Sequence, residues 1–158
     1  MIEIRQATVE DAALILKFVT ELAAYEKARN EVVATVVDIK NSLFCGDSTT
    51  SAVICSKGHE PIGYAVYFFN YSTWLGKPGL YLEDLYVSPE HRGIGAGTAM
   101  LKHLAKIALS KNCGRFEWSV LDWNESAIKF YQSIGAKSQQ EWVGYRLSGK
   151  ALEEFANN

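Results

Sequence analysis

Residues 88–100, SPEHRGIGAGTAM, place three glycines at alternate positions between a proline-marked turn and a segment with helical periodicity. Glycine permits backbone conformations and close approaches that a Cβ atom forbids. Between a strand and a helix, such a loop presents unpaired backbone N–H groups and the positive end of the helix dipole to an anion. The loop, which begins at Arg92, is therefore predicted to bind phosphate.

Two well-known phosphate-binding patterns do not fit the spacing of this loop. The dinucleotide fingerprint G-x-G-x-x-G/A does not fit because Thr98 or Met100 stands at its last position. The P-loop does not fit because no Gly-Lys-Ser/Thr follows the glycines. The pattern that remains is R-G-x-G-x-G. A glycine-rich turn that only reverses the chain stays open on this pattern alone.

Hydrophobic periodicity and capping residues predict the elements that position the loop. Strands are predicted at IEIRQA, at two runs of TSAVICSKGHEPIGYAVYFFNY around a turn, at LYLEDLYV, at RFEWSVLD, and as a last pair within AKSQQEWVGYRLS. Helices are predicted after Thr8, after Thr35, from Thr98 to Asn112, over ESAIKFYQSI between Asn124 and Gly135, and at the C-terminus. With no repeat or linker, the order indicates one α/β domain over residues 1–158.

The composition argues against several classes of function. The 16 basic and 18 acidic residues give a formal net charge of −2, without the basic patch of a nucleic-acid-binding protein. No apolar stretch approaches the ~20 residues of a membrane-spanning helix, and no targeting segment is evident. The three cysteines and three histidines lack metal-ligand spacing. We therefore expect no nucleic-acid or membrane partner, no metal, and a cytoplasmic location.

Two segments carry a family resemblance. Arg92-x-x-Gly95-x-Gly97, between a strand and an amphipathic helix, resembles the pyrophosphate-binding motif of the GNAT superfamily of acyl-coenzyme A N-acyltransferases. WNESAIKFYQSIGA, residues 123–136, is similar to its second signature, an asparagine-capped helix with a tyrosine that closes on an aliphatic-Gly-Ala. The resemblance implies an α/β (α+β) GNAT fold, with a mixed central sheet of about six to seven strands and about four helices.

The resemblance implies acetyl-CoA as cosubstrate, held between two splayed parallel strands, here LYLEDLYV and RFEWSVLD. The implied coenzyme contacts are Leu85, Tyr86, Val87, Arg92, Gly93, Ile94, Gly95, Ala96, Gly97, Thr98, Asn124, Glu125, Ser126 and Ala127. Backbone at the glycines would approach the pyrophosphate closely. The amides of the pantetheine arm would bond to exposed main chain as an added strand does.

Acetyl transfer to an amine needs a base, because an alkyl ammonium with a pKa near ~10 is almost fully protonated at neutral pH. Glu83 lies in the strand that leads to the loop and is the predicted base. Simple alternation predicts that Glu83 faces the acyl site with Tyr81, Leu85 and Val87, while Asp84 faces the other way. A strand bulge near Leu85 would direct a backbone N–H toward the developing oxyanion.

A finer resemblance, to the spermidine/spermine (diamine) and thialysine N-acetyltransferases, covers nearly the whole chain. It rests on ELAAYEKA, on YFFNYSTWLGKPGLYLEDLYVSPEHRGIGAG and on WNESAIKFYQSIGA. It implies Tyr131 as the general acid that protonates the leaving thiolate. The implied amine contacts are Tyr25, Glu26, Glu83, Glu117, Trp118 and Ser119. Carboxylates and aromatic faces of this kind bind ammonium groups.

The same resemblance implies a homodimer and a small cationic amine substrate. One departure concerns the far end of the amine site, where Val143 replaces a family carboxylate and Glu141 lies only nearby. A shorter diamine or a lysine-like amino acid is therefore as plausible as a long polyamine. The pattern favours direct attack of the amine on acetyl-CoA in a ternary complex.

Two other functions stay open at this point. A protein or peptide N-acetyltransferase would need an open groove, and the insert around NYSTWLGKP is more typical of a wall. A non-catalytic acyl-CoA-binding regulatory module would be expected to lack the base or the acid, and Glu83 and Tyr131 are both present.

Overall fold

One five-stranded sheet forms the centre of the computed structural model, which describes residues 1–158. Its strands are β1 (Ile2–Gln6), β2 (Thr50–Lys57), β3 (Glu60–Ser72), β4 (Lys77–Val87) and β5 (Arg115–Trp118). The α-helices are α1 (Ala12–Tyr25), α2 (Val36–Leu43), α3 (Ala96–Ser110), α4 (Glu125–Ser133) and α5 (Gly149–Asn157). The chain divides into two compact units, Met1–Ser119 with the sheet and α1 to α3, and Val120–Asn158 with α4 and α5.

The strands lie in the order β1-β2-β3-β4-β5, so consecutive strands are neighbours. The pairs from β1 to β4 are antiparallel, and β4 pairs with β5 in parallel. The parallel ladder ends at the pair Leu82 and Trp118, whereas β4 continues to Val87. Beyond that pair β5 ends, and β4 continues to Val87 without a β5 partner.

The core on the α1 side of the sheet is built around Phe18. Its ring stacks on Tyr64 with centroids 5.6 Å apart, and it tilts against Tyr86 at 5.8 Å. Ile15 and Ile54 complete this fully buried cluster. Burying each such side chain contributes roughly 1.5–3 kcal/mol, so the packing fixes α1 on β3 and β4. Helix α3 contacts β1, β4 and β5.

The predicted capping residues Thr8 and Thr35 stand before α1 and α2. Thr35 and Asp38 form a reciprocal capping box at α2, with N–H to oxygen distances of 3.1 and 2.8 Å. Before α1, a short 3-10 helix at Val9–Asp11 follows Thr8, whose N–H donates to the Asp11 carboxylate at 2.8 Å.

Two sequence-based predictions at the C-terminal end of the sheet are wrong. The predicted strand at RFEWSVLD ends at Trp118, and residues 136–148 form no strand. The sheet therefore has five strands, not six or seven. The alternation in AKSQQEWVGYRLS supplies strand propensity, but a strand also needs a neighbour for its hydrogen bonds, and the unit Val120–Asn158 contains no other strand.

No helix has both the length and the apolar character needed to cross a membrane.

Candidate active site

β4 carries a bulge in its middle. Adjacent residues of β3, Val66 and Tyr67, pair with Asp84 and Leu82, respectively. Glu83 therefore has no partner on β3, and it is the extra residue of the bulge. The predicted bulge exists, but it lies at Glu83 and not at Leu85.

The bulge changes which residues share a face of the sheet. Directly paired residues of an antiparallel ladder point to the same side. Tyr64 pairs with Tyr86 and Phe68 with Tyr81, and because Tyr64 and Phe68 are four residues apart on β3, both pairs lie on one face. Asp84 is two residues before Tyr86 and shares that face. Asp84 therefore lies on the same face as Tyr81. The prediction from simple alternation, which put Asp84 on the face opposite Tyr81 and grouped Tyr81 with Leu85 and Val87, is wrong, because one extra residue reverses the alternation after it.

The buried Tyr64 and the half-buried Asp84 form a hydrogen-bonded pair on this face. The Tyr64 hydroxyl donates to Asp84 Oδ2 at 2.7 Å, and the Tyr64 side chain is fully buried. Burial raises the pKa of Asp84, and the hydrogen bond from Tyr64 opposes that rise. Burial and the negative charges of Asp84, Glu26 and Glu83 raise the pKa of Tyr64, so its phenol stays neutral and keeps donating.

The carboxylates of Asp84, Glu26 and Glu83 thus all contribute to the raised pKa of Tyr64. Glu26 follows the last residue of α1, and loss of water, together with the charge of Asp84, raises its pKa. Glu83 is exposed in the bulge. A cation placed among these groups would relieve their mutual repulsion and favour their ionised forms. The site is therefore suited to an ammonium group.

Sequence reasoning missed Asp84 and Tyr64. Both lie in strands whose residues alternate, and the position of Asp84 depends on the register of β3 against the bulge. A charged residue inside the apolar run LYLEDLYV was the available signal, since a carboxylate is rarely buried without a hydrogen-bond partner.

The glycine loop has an open outer side. Gly93 and Gly95 have positive φ angles of 82° and 87°, and Gly95 caps α3. A Cβ atom added at Gly93, Gly95 or Gly97 would meet no protein atom within 4 Å. The first N–H groups of α3 have no partner within the helix. Backbone from Gly93 to Thr98 is therefore open to an anion on its outer side, and its contact with the pyrophosphate of a coenzyme stays a prediction.

Arg92 lies between the loop and α1. Its Nε donates to the carbonyl of Val87 at 2.9 Å, and its guanidinium carbon lies 5.0 Å from the ring centroid of Tyr25 and 5.8 Å from that of Tyr86. The Tyr86 hydroxyl donates to Glu21 at 2.8 Å. Burial and this carboxylate raise the pKa of Tyr86 to about 12. The predicted coenzyme and amine residues Tyr86, Arg92 and Tyr25 are thus in contact.

The predicted amine contacts on β5 have protein partners of their own. Glu117 pairs with Arg115 at 2.9 Å, and the rings of Trp118 and Phe116 lie 5.0 Å apart. Just after β5, Ser119 shares a hydrogen bond of 2.8 Å with the hydroxyl of Tyr81. Because Glu117 is neutralised by Arg115, its charge is less available to an amine than those of Glu26 and Asp84.

The unit Val120–Asn158 carries the second signature. The Asn124 side chain accepts from the N–H of Ala127 at 3.4 Å and caps α4, and Gly135 has the predicted left-handed φ of 92° after the helix. Tyr131 lies on α4, half-buried, with its ring centroid 5.8 Å from that of Phe130. Glu125 and Ser126 are exposed in the first turn.

The cysteines and histidines form no metal centre. Cys45, Cys55 and Cys113 are free thiols, and no group of three or more His, Cys, Asp or Glu side chains is arranged to hold a metal ion.

The glycine loop and the asparagine-capped helix correspond to a known family. The profile of the acetyltransferase (GNAT) family matches residues 18–136, which include the bulged strand, the loop and α4. The chain belongs to the GNAT acetyltransferase family. It is an N-acetyltransferase, and GNAT acetyltransferases use acetyl-CoA as cosubstrate.

Relatives of this GNAT enzyme support the finer resemblance. Thialysine N-epsilon-acetyltransferase of Mus musculus is 35% identical over 97% of this chain and 96% of its own length. Spermidine/spermine N(1)-acetyltransferase-like protein 1 of Homo sapiens is 33% identical over 98% of this chain, which covers 24% of that longer protein. The solved integron cassette protein VCH_CASS6 from the mobile metagenome of V. cholerae superposes with a TM-score of 0.83, at 29% identity, over 99% of this chain and 98% of its own.

Proposed function

We propose that this enzyme transfers the acetyl group of acetyl-CoA to the primary amine of a small cationic substrate: a diamine, a polyamine or a lysine-like amino acid such as thialysine. The observation that carries the proposal is the hydrogen bond from Tyr64 to Asp84 in a region where the negative charges of Glu26 and Glu83 also act on Tyr64. Three clustered carboxylates attract a substrate with more than one positive charge. The names of the relatives, which specify thialysine and spermidine/spermine, support the same class.

Each residue type has a role in this reaction. Acetyl-CoA supplies an activated acetyl group, and the backbone from Gly93 to Thr98 would hold its pyrophosphate. Glu83 accepts the proton that the ammonium must lose before its nitrogen can attack. Glu26 and Asp84 bind the remaining positive charge of the substrate. Tyr131 holds the proton that neutralises the departing sulfur.

We also propose that residues 1–158 act as one catalytic domain in a cytoplasmic homodimer. The family match runs from residue 18 to residue 136 and so crosses the boundary between the two compact units. The free thiols, including the exposed Cys45, suit a reducing compartment. The dimer is carried over from the diamine and thialysine N-acetyltransferases.

The test is acetyl-CoA-dependent thiol release across a panel of amines. Spermidine, spermine, putrescine, thialysine, lysine and basic peptides are compared for wild type, Tyr131→Phe and Glu83→Gln. We expect turnover with at least one small amine, and a fall in kcat of at least about tenfold in Tyr131→Phe because the sulfur then leaves without a proton donor. Glu83→Gln is expected to shift the pH dependence of kcat/KM for the same amine.

Two results would contradict the proposal. Turnover confined to peptides would assign the enzyme to protein modification. Tight acetyl-CoA binding without turnover on any amine would favour a regulatory acyl-CoA-binding module. Tyr71→Phe serves as the matched control for Tyr131→Phe, because the Tyr71 side chain is exposed and has no role in the proposal.

A further inference from the structure

Arg92 has donors left for a ligand while its planar face contacts the protein. Its interactions are the bond from Nε to the Val87 carbonyl and the two ring contacts with Tyr25 and Tyr86. Its two terminal nitrogens donate to no protein atom, which leaves four N–H groups for an anion. Arg92 can therefore bind a phosphate without giving up its contact with Tyr25.

Tyr25, which Arg92 contacts, is next in sequence to one of the three carboxylates Glu26, Glu83 and Asp84. Tyr25 is the last residue of α1, and Glu26 follows it directly. The charge of Asp84 helps to raise the pKa of Glu26, which places the two carboxyl groups in one electrostatic environment. A shift of the last turn of α1 therefore moves an amine-binding carboxylate relative to Asp84.

The end of α1 is a strained turn. Lys27 has a positive φ of 62°, a conformation that costs a non-glycine residue energy. The turn is closed by N–H bonds from Glu26 to Leu22 at 2.9 Å and from Ala28 to Ala23 at 2.8 Å. Because helix ends fray readily, contacts at Tyr25 can bias how tightly this last turn is held.

We propose that Arg92 is a positioning residue that couples the two substrates. A pyrophosphate at the glycine loop fixes the guanidinium, the guanidinium fixes the ring of Tyr25, and the last turn of α1 holds Glu26 beside Asp84. Each substrate then raises the affinity for the other, because coupling between two sites is reciprocal. The amine half of this inference rests on the proposed function, whereas the link from the loop to α1 does not.

The first experiment measures coupling by calorimetry with coenzyme A and thialysine, a pair that cannot react. We expect coenzyme A to bind about three- to fivefold more tightly when thialysine is saturating, which is the scale of one exposed cation–π contact. The factor should fall to about one in Tyr25→Leu and be retained in Tyr25→Phe, which keeps the aromatic face. An unchanged factor in Tyr25→Leu overturns the proposal.

The second experiment needs no amine. Coenzyme A alone is expected to slow hydrogen exchange of the amides of Glu26 and Ala28 in wild type and in Tyr25→Phe, but not in Tyr25→Leu. Arg92→Lys, which keeps the charge and loses the planar face, should behave like Tyr25→Leu once coenzyme A is saturating.

The two experiments separate this inference from the proposed function. Suppose that coenzyme A slows exchange at the turn but thialysine does not bind. The coupling from the glycine loop through Arg92 to Tyr25 would then be supported, and the proposed substrate would be wrong. Acetylation of thialysine by an enzyme whose α1 turn does not respond to coenzyme A would keep the proposed function and overturn the link. Equal protection in Tyr25→Leu and Tyr25→Phe would also overturn it.

Discussion

Asp84 is a carboxylate whose burial opposes its own ionisation. Burial raises its pKa above the usual value, with Tyr64 opposing the rise. Between the usual and the raised pKa, the folded protein holds a proton that the unfolded chain has lost. Stability therefore falls as the pH rises through this window. The charge that we propose binds the amine is therefore maintained at the expense of folding free energy.

Asp84→Asn is expected to change stability and activity in opposite directions. The amide oxygen can still accept from Tyr64, and the charge that burial opposes is gone. We therefore expect the Tm of wild type to fall between pH 4 and pH 7, and the Tm of Asp84→Asn to fall less over the same range. At the same time kcat/KM for the amine should fall at least about tenfold, because a cation loses its buried partner. Thermal melts across pH and steady-state kinetics measure both effects.

The exposed Asp47 provides the control. Asp47→Asn should leave both quantities unchanged. Equal pH dependence of Tm in Asp84→Asn and wild type would show that Asp84 does not titrate against folding.

Local backbone features of contiguous motifs were the ones that the sequence could predict. The glycine turn at Gly93 and Gly95 and the helix cap at Asn124 are read from local spacing, and the structure has both. The ligand contacts of these residues and of Arg92 stay predictions. Asp84 was missed because its direction depends on a bulge, and the bulge is visible only in the pairing of β4 with β3. No local pattern in LYLEDLYV reports that register.

The helix α3 allows folding and coenzyme binding to be tested separately. Gly97 lies inside the helix without a positive φ, and a Cβ there would meet open space. We expect Gly97→Ala to be as stable as wild type, or up to about 1 kcal/mol more stable. Its affinity for coenzyme A should fall at least about tenfold, because the methyl group occupies the side that the pyrophosphate approaches.

Gly95→Ala provides the comparison, measured by chemical denaturation and calorimetry. With φ at 87°, an alanine at position 95 is strained and should lower the stability by about 1 kcal/mol or more. Wild-type affinity for coenzyme A in Gly97→Ala would show that the pyrophosphate does not lie on this loop.

The start of α1 depends on an ion pair between the buried Asp11 and the exposed Arg5. Asp11 accepts from Arg5 at 2.7 and 2.9 Å and from the Thr8 N–H at 2.8 Å, and these bonds lower its pKa. Such an acid stabilises the fold above its usual pKa and loses that contribution as the pH falls. We expect Asp11→Asn to destabilise the protein by about 1–3 kcal/mol at pH 7. The difference from wild type should shrink below about pH 4.

Denaturant titrations at pH 7 and pH 3.5 measure this difference. Asp38→Asn, at the exposed capping box of α2, should cost less because its bonds are solvated. A constant difference between Asp11→Asn and wild type at both pH values would contradict the assignment.

At the scale of elements, helices were predicted better than strands. Their start signals, Thr35 with Asp38 and Asn124, lie within four residues of the bonds they make. Strands depend on distant partners, so β5 ends earlier than its apolar pattern indicates, and residues 136–148 form none. The prediction of the overall fold is correct despite these errors, because it rests on the order of the elements and on the two motifs.

The oligomeric state is a property of the whole molecule. Trp142, Val143 and Tyr145 are exposed large apolar side chains in the unit Val120–Asn158. Where such side chains form a contiguous exposed patch, they favour association. We expect light scattering after size exclusion to give twice the 17.6 kDa of the chain. A mass equal to one chain at micromolar concentration would contradict the proposed homodimer.

The unpaired end of β4 has a consequence for the amount of enzyme in a cell. Past Leu82, one main-chain edge of β4 has no β5 partner, and a bound coenzyme would act as the missing strand. A ligand that binds only the folded chain at a hundredfold excess over its Kd adds about 2.7 kcal/mol to stability. Since proteases degrade unfolded chains first, the lifetime of the enzyme would lengthen when acetyl-CoA is plentiful and shorten during starvation.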